Sequence, residues 1–266
     1  MKRLLFLLGL ALALTSCAVT EQAAAPLPVY AAGSLREALS TIAADYEARS
    51  DQKIALTFGA SGLLRQRIEQ GEGAQVFASA DTEHPQRLAT RGGWAAPQVF
   101  TRNSLCALTA AHISATPDTL LATLLRTDVR VGTSTPKADP SGDYAWALFR
   151  KAEALRAGSY VALDAKALKL TGGADSPKPP AGRGTYAWVM DEGQADVFLT
   201  YCTNAVASQR EVPRLKIVQV PPELQVGAAY GLTLRSDAPA AAGRFVAYLL
   251  SEPGQAVLQR YGFGRP

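Results

Sequence analysis

Two histidines and three cysteines are all that 266 residues supply of the side chains that most often bind metals or carry redox chemistry. No C-x-x-C pair and no Cys/His spacing of the zinc or haem kind occurs, so neither centre is written into the chain. Clustered charge is also absent. Basic residues are scattered singly rather than interleaved with aromatics, and no DNA- or RNA-binding motif appears, which sets nucleic acid aside as a partner. Internal repeats and coiled-coil heptads are missing too, so a solenoid or a long helical assembly is excluded. The net charge is 27 − 23 = +4. With nearly half its residues hydrophobic, the chain can bury a real core, as one large domain or two smaller lobes.

What is present begins at the N-terminus. Lys2 and Arg3 precede the apolar run LLFLLGLALAL, which is too short to span a bilayer stably and has the form of a secretion signal. Its exit, Leu14-Thr15-Ser16-Cys17, resembles the bacterial lipobox. On that reading residues 1–16 are a signal peptide, Cys17 carries lipid, and 17–28 form a tether; ordinary cleavage near Ala23 to Ala25 is the alternative. Either way the protein works outside the cytoplasm, in the periplasm: on the lipobox reading it touches a membrane only through its lipid anchor, and on the alternative Cys17 is lost and it is soluble there. Removal of Lys2 and Arg3 leaves a net charge of about +2. Cys106 and Cys202 then face an oxidising compartment. Each sits in an apolar, strand-like run, NSLCALT or DVFLTYCT, so a single disulfide and two buried free thiols are both open readings.

Beyond the tether, strand-like and helical segments alternate with short glycine-marked turns, the pattern of an α/β fold. VYAA (29–32) leads to a helix of about 35–49, and IALTF (54–58) leads through GASG to a helix of about 62–70. QVFASA (75–80) is a buried strand, with Asp81 placed to cap the segment containing His84. NSLCALT, a helix near 117–125 and the strand DVRVGT follow, then a helix beyond Ser141 with Tyr144, Leu148 and Leu155 on one face. A Pro/Gly loop (172–184) precedes the helical TYAWVMDEG and the strand VFLTY. The last third reads as strands at 215–220 and 228–234, a helix at 239–250, a break at Glu252-Pro253-Gly254 and a final helix ending at YGF.

Three strand-to-helix junctions carry serine beside glycine, at Ser34, Ser61 and Ser141. Each serine has the sequence of an N-cap, and Ser34 with Glu37 spells a capping box. A helix start is also an anion site, because free N–H donors and the positive dipole end point the same way, and in open α/β sheets such starts converge beyond the strand ends. A serine hydrolase using Ser34 or Ser61 is the competing chemistry. GASGL departs from the nucleophile elbow G-x-S-x-G at Leu63, no S-x-x-K stands at these junctions, and the only imidazole bases, His84 and His112, lie in polar segments that read as surface. Arg183, between two glycines, is either a solvated loop residue or a charge-assisted anion ligand. Tyr201 ends an apolar strand, where its hydroxyl is either satisfied in the core or aimed into a cleft.

The segments VYAAGSL, FGASGLLRQRIEQG, AQVFASAD, NSLCAL, DVFLTYCTNA and SEPGQAVLQRYGF, in this order, resemble the periplasmic molybdate-binding proteins of ABC transporters over nearly all of 29–266. That resemblance implies a two-lobed α/β periplasmic-binding-protein fold of type II, each lobe a mixed sheet flanked by helices, with the ligand cleft between them. It implies lobe I at 29–102 plus 225–266 and lobe II at 103–224. It also implies a monomeric, non-enzymatic receptor that binds molybdate or tungstate, uses no cofactor and no free metal cation, and delivers its ligand to a permease and ATPase. The implied ligands are Ser34 and Ser61, the backbone N–H near Ser141, the backbone at Arg183 and the hydroxyl of Tyr201. Gln75 and Asn204 stand where the family commonly has Asp, and Cys202 beside Tyr201 is unusual; bonded to Cys106 it would fix the tyrosine strand to the crossing strand. A charged Arg183 leaves sulfate, phosphate or a small carboxylate as alternative ligands.

Overall fold

The computed structural model describes residues 25–266, so the expected signal peptide, the lipid site at Cys17 and most of the tether lie outside the described residues. The first lobe opens with β1 (Leu27–Ala32), which starts two residues inside the expected tether. A 3₁₀ turn (Gly33–Leu35) passes into α1 (Arg36–Glu47), then β2 (Ile54–Gly59), α2 (Ser61–Glu69), β3 (Val76–Ser79) and α3 (Glu83–Arg91). Both neighbours of β1 run parallel to it, Val29 pairing with Leu56 of β2 and with Val76 of β3. A central parallel strand is covered on both faces, which is why LPVYAA reads as a nearly unbroken apolar run. On α1, Leu39, Ile42 and Tyr46 recur at helical spacing and are buried against the sheet, with Tyr46 packed edge-on to Phe245.

β4 (Gln98–Thr109) then crosses to the second lobe. That lobe contains α4 (Leu120–Leu125), β5 (Val131–Ser134), α5 (Pro140–Leu155), α6 (Ser159–Lys166), β6 (Leu168–Thr171), α7 (Thr185–Asp191), β7 (Val197–Tyr201), α8 (Cys202–Glu211) and β8 (Lys216–Gln219). The chain returns through β9 (Gly227–Leu234) and finishes with α9 (Ala240–Leu250) and α10 (Glu252–Arg260). The strands follow the order β2-β1-β3-β9-β4-β7-β5-β6, with β8 also on β4. β4 pairs with β9 from Gln98 to Ser104 and with β7 and β8 from Leu105 or Cys106 onward. The partner change falls within one strand, so two chain segments, not a loose linker, join the lobes.

The structure amends the sequence reading in several places. The capping box does not form: Ser34 lies inside the 3₁₀ turn, no side chain caps it, and Glu37 instead pairs with Arg210. α6, β6 and α8 were not expected; Cys202-Thr203-Asn204 opens a helix directly from the end of β7. Leu155 ends α5 at 53% exposure rather than continuing its buried face. Glu252-Pro253-Gly254 is the first turn of α10, where proline needs no donor and Gly254 packs against the carbonyls of Tyr248 and Leu249. Cys106 and Cys202 form a disulfide that closes the open alternative.

Candidate functional site

Parallel strands deliver their carboxyl ends to one side of each lobe. In the first lobe β1 ends before Ser34 and β2 ends before Ser61; in the second, β5 leads to Asp139, β6 to Gly172, and β7 ends at Tyr201. Ser34, Ser61, Asp139 and Tyr201 line one cavity of about 990 Å³ between the lobes, which extends along the 172–184 loop past Arg183. The cavity is closed by contacts across the cleft. Gly62 N–H donates to Ala138 C=O at 2.8 Å, Tyr201 Oη donates to Ala80 C=O at 3.2 Å, and Arg210 Nη2 donates to Glu37 Oε2 at 2.6 Å. Gly62 is obligatory here: a β-carbon would stand 2.3 Å from the Lys137 carbonyl oxygen and 2.7 Å from that of Ala138.

The first lobe offers uncharged donors. Ser61 is fully buried at the first residue of α2, its hydroxyl accepts the Ala80 N–H at 3.1 Å, and no side chain caps the helix. A hydroxyl that accepts one bond still has its proton to give. Ser34 Oγ lies 2.9 Å from Tyr230 Oη, whose other partner is Asn103 Nδ2 at 3.3 Å. Tyr230 and Asn103, both buried, thus orient the first serine, and nothing in their sequence context marked them for that role. Tyr201 is sandwiched by Tyr144 and Tyr230, with ring centroids 6.2 and 5.5 Å away. Burial pushes its phenol well above the ordinary value, so it is a donor at any physiological pH.

The second lobe differs. α5 is capped by Asp139, whose Oδ1 accepts the Ser141 N–H at 3.0 Å, so the backbone donor expected to serve a ligand near Ser141 is already engaged. Ser141 Oγ is buried without a partner among the described residues and does not line the cavity. Asp139 was missed, although Asp before Pro at a helix start is itself a readable cap signal. Enclosure by protein pushes its carboxyl up to about 6, against the pull of the Ser141 N–H and the Ser134 hydroxyl. Arg183 also departs from expectation. Its guanidinium pairs with Asp191 at 2.9 Å and Glu211 at 2.5 Å, and its N–H closes a turn onto Pro180 C=O.

Among the described residues neither histidine stands beside the serines at 34, 61 or 141 as a hydrolytic base would. His84, read as surface, is 4% exposed in α3, where burial lowers its pKa and neither ring nitrogen has a hydrogen-bond partner among the described residues. His112 is exposed and lies 3.3 Å from Asp196, beside the ion pair of Arg130. Asp81 does receive the His84 N–H, at 3.1 Å. Among the described residues no cluster of three or more His, Cys, Asp or Glu side chains is placed to hold a metal ion, and no described helix is long and apolar enough to cross a membrane.

The family model for bacterial extracellular solute-binding proteins matches residues 27–264. The chain is 38% identical over 205 residues to the uncharacterized protein PM1146 of Pasteurella multocida, covering 77% of this chain and 85% of that one. It is 28% identical over 261 residues to the molybdate-binding protein ModA of Mycobacterium tuberculosis (95% and 89% covered). Among solved structures, the periplasmic molybdate-binding protein of Azotobacter vinelandii superposes with a TM-score of 0.69 at 18% identity, covering 90% of this chain and 99% of that one. The sulfate-binding protein SubI of M. tuberculosis gives 0.68 at 19% identity, with 90% and 86% covered.

Proposed function

From the premise that the chain belongs to the bacterial extracellular solute-binding protein family, we propose that it captures a tetrahedral oxyanion, molybdate or tungstate, between its lobes. It then delivers the anion to the permease and ATPase of an ABC importer. In this reading it works in the periplasm as a monomer, held to the membrane by lipid on Cys17. The lobes are residues 29–102 with 225–266, and 103–224, and they close by rotation about the β4 and β9 crossings. One observation carries the proposal: Ser34 and Ser61 of the first lobe bring uncharged O–H groups to one cavity between the lobes, and Tyr201 reaches it from the second with a hydroxyl that turns to an anion by releasing Ala80 C=O. Neutral donors at an uncapped helix start hold a desolvated anion without burying a second full charge. Relatives of this fold named for molybdate and for sulfate leave the anion to be decided by size and protonation.

The test is calorimetric titration of the purified exported protein with molybdate, tungstate, sulfate and phosphate, repeated on Arg183→Ala. The expected outcome is 1:1 binding of molybdate and tungstate that Arg183→Ala leaves within about twofold, because an exposed guanidinium already shared by two carboxylates has little to lend. Binding of sulfate or phosphate that is lost with Arg183 would replace this reading with the alternative anion. The roughly 990 Å³ cavity specifically favours a second reading, a larger anion such as a small carboxylate, and the same titration with acetate and citrate addresses it.

A further inference from the structure

We propose that Asp139 shares one proton with the bound oxyanion, so that the cleft takes up its anion together with a proton. The inference rests on the reading that this cleft binds an oxyanion. Asp139 lines the same cavity as Ser34, Ser61 and Tyr201, and the Gly62 N–H to Ala138 C=O contact at 2.8 Å brings the start of α2 against the residue next to it. Its side chain is locked. Oδ1 holds the Ser141 N–H, and Gly172, at φ +75°, approaches so closely that a β-carbon there would stand 2.5 Å from the Asp139 Cβ and 2.6 Å from Oδ2. The carboxyl therefore cannot swing away when an anion arrives.

Among the described residues no cation forms an ion pair with it. The strongest charges acting on Asp139 are carboxylates, Asp143 from its own helix and Asp81 from the loop after β3. The aromatic hydroxyls that share its electrostatic surroundings, Tyr186 of α7, Tyr201 of β7 and Tyr230 of β9, are all kept neutral by burial. Four cations line the cavity: Arg36 keeps its charge over the Phe58 ring, Arg183 and Arg210 are tied in ion pairs, and Lys178 stands on the 172–184 loop, and none of them is among the strongest influences on Asp139. A dianion beside a fixed carboxylate is two like charges in one enclosure, and such a pair titrates as a unit that retains one proton. The lone carboxyl titrates near 6, so the proton is available close to neutrality. A proton-free anion such as molybdate takes this proton from solvent, whereas hydrogenphosphate brings its own and uses the carboxylate as an acceptor.

The decisive experiment measures molybdate binding to the wild-type protein across the range from about pH 5 to about pH 8.5, in two buffers of different ionisation enthalpy. The wild type is expected to take up about one proton per molybdate at the alkaline end, with affinity falling about tenfold per pH unit there and levelling below the carboxyl's pKa. Hydrogenphosphate, if it binds, does so with no uptake. Asp139→Asn keeps the helix cap and a permanent donor; it is expected to bind molybdate more tightly than wild type at pH 8 and with no pH slope. Wild-type binding that is flat in pH and independent of buffer overturns the inference without the variant, and so does a folded Asp139→Asn that keeps the wild-type slope. If none of the four oxyanions binds even at about pH 5, the oxyanion reading itself falls and takes this inference with it.

Discussion

The two walls of the cleft are made the same way, from parallel strands whose ends turn into helices, and they present opposite chemistry. On the first wall α2 starts with Ser61, no side chain closes its end, and the serine hydroxyls at 34 and 61 are held by neutral partners, the Ala80 N–H and the Tyr230 phenol. On the second wall α5 starts with a carboxylate folded back onto its own N–H. One residue before the helix decides the difference. Ala60 supplies no side-chain cap, so apart from the Gly62 N–H held by Ala138 C=O the first turn of α2 keeps donors to give, while Asp139 caps α5 and puts an acceptor into the cavity. A strand-to-helix junction is thus a donor or an acceptor site according to whether the preceding residue supplies its own anion.

The second wall also depends on a covalent tie. Cys106 in β4 and Cys202 at the start of α8 are 96 residues apart, and Leu105, next to the bond, pairs with Tyr201 in the β ladder. Replacing both cysteines by alanine is expected to cost about 4.7 kcal/mol of stability, by the loop-closure argument for a ring of this size, and urea unfolding measures it. The loss should fall mainly on the second lobe. An equal fall in protection of both lobes in hydrogen exchange would mean that the bond stabilises the whole chain rather than this wall.

Closing one wall onto the other depends on Gly62. In Gly62→Ala the new methyl meets the Lys137 carbonyl oxygen at 2.3 Å, and backbone on both sides cannot yield as a flexible side chain would. Anion affinity is expected to fall about a hundredfold, roughly 3 kcal/mol, with the apo melting temperature nearly unchanged because each lobe keeps its core. Small-angle scattering that shows the variant closing on ligand like the wild type would remove Gly62 from the closure surface.

A third effect separates the walls by pH. A carboxyl raised from 3.8 to about 6 by folding binds its proton more tightly in the folded protein. Its contribution is therefore intact below the unfolded pKa and is lost as pH rises through about 6, leaving the folded state on the order of 3 kcal/mol less stable above that point. Asp139→Asn should accordingly stabilise the apo protein at pH 8 and leave it unchanged at pH 4. The first-wall variant Ser61→Ala should show no such pH dependence. Urea midpoints at the two pH values check both, and equal gains at pH 4 and pH 8 would rule out the charge as the cause.

Much of this architecture was legible in the chain, for identifiable reasons. β1, β3 and β7 read as strands because buried strands leave apolar runs, the half-buried edge strand β2 because IALTF runs into Gly59, and α1 shows its buried face at Leu39, Ile42 and Tyr46. α8 was missed because it begins without a break from β7: no turn residue separates Tyr201 from Cys202. His84 looked exposed because its neighbours are polar, yet it points inward from a helix whose outer face carries those neighbours. The 3₁₀ turn cost Ser34 its expected capping role, since the residue that enters the helix there is Leu35.

By itself the sequence determined the alternation of strands and helices, the export signal as an expectation, and which serines stand at helix starts. These are local matters of periodicity, propensity and turn chemistry. Only the tertiary structure decided what those residues do. Whether Arg183 faced a ligand or its own carboxylates depended on Asp191 and Glu211, the second of them 28 residues away. Whether Cys106 found Cys202 depended on β4 lying beside β7. That Asp139 shares a cavity with Ser34 followed from two lobes meeting through Gly62. Hydrogen bonds and charges act over a few ångströms, and the chain order that encodes them does not state which distant residues will come that near.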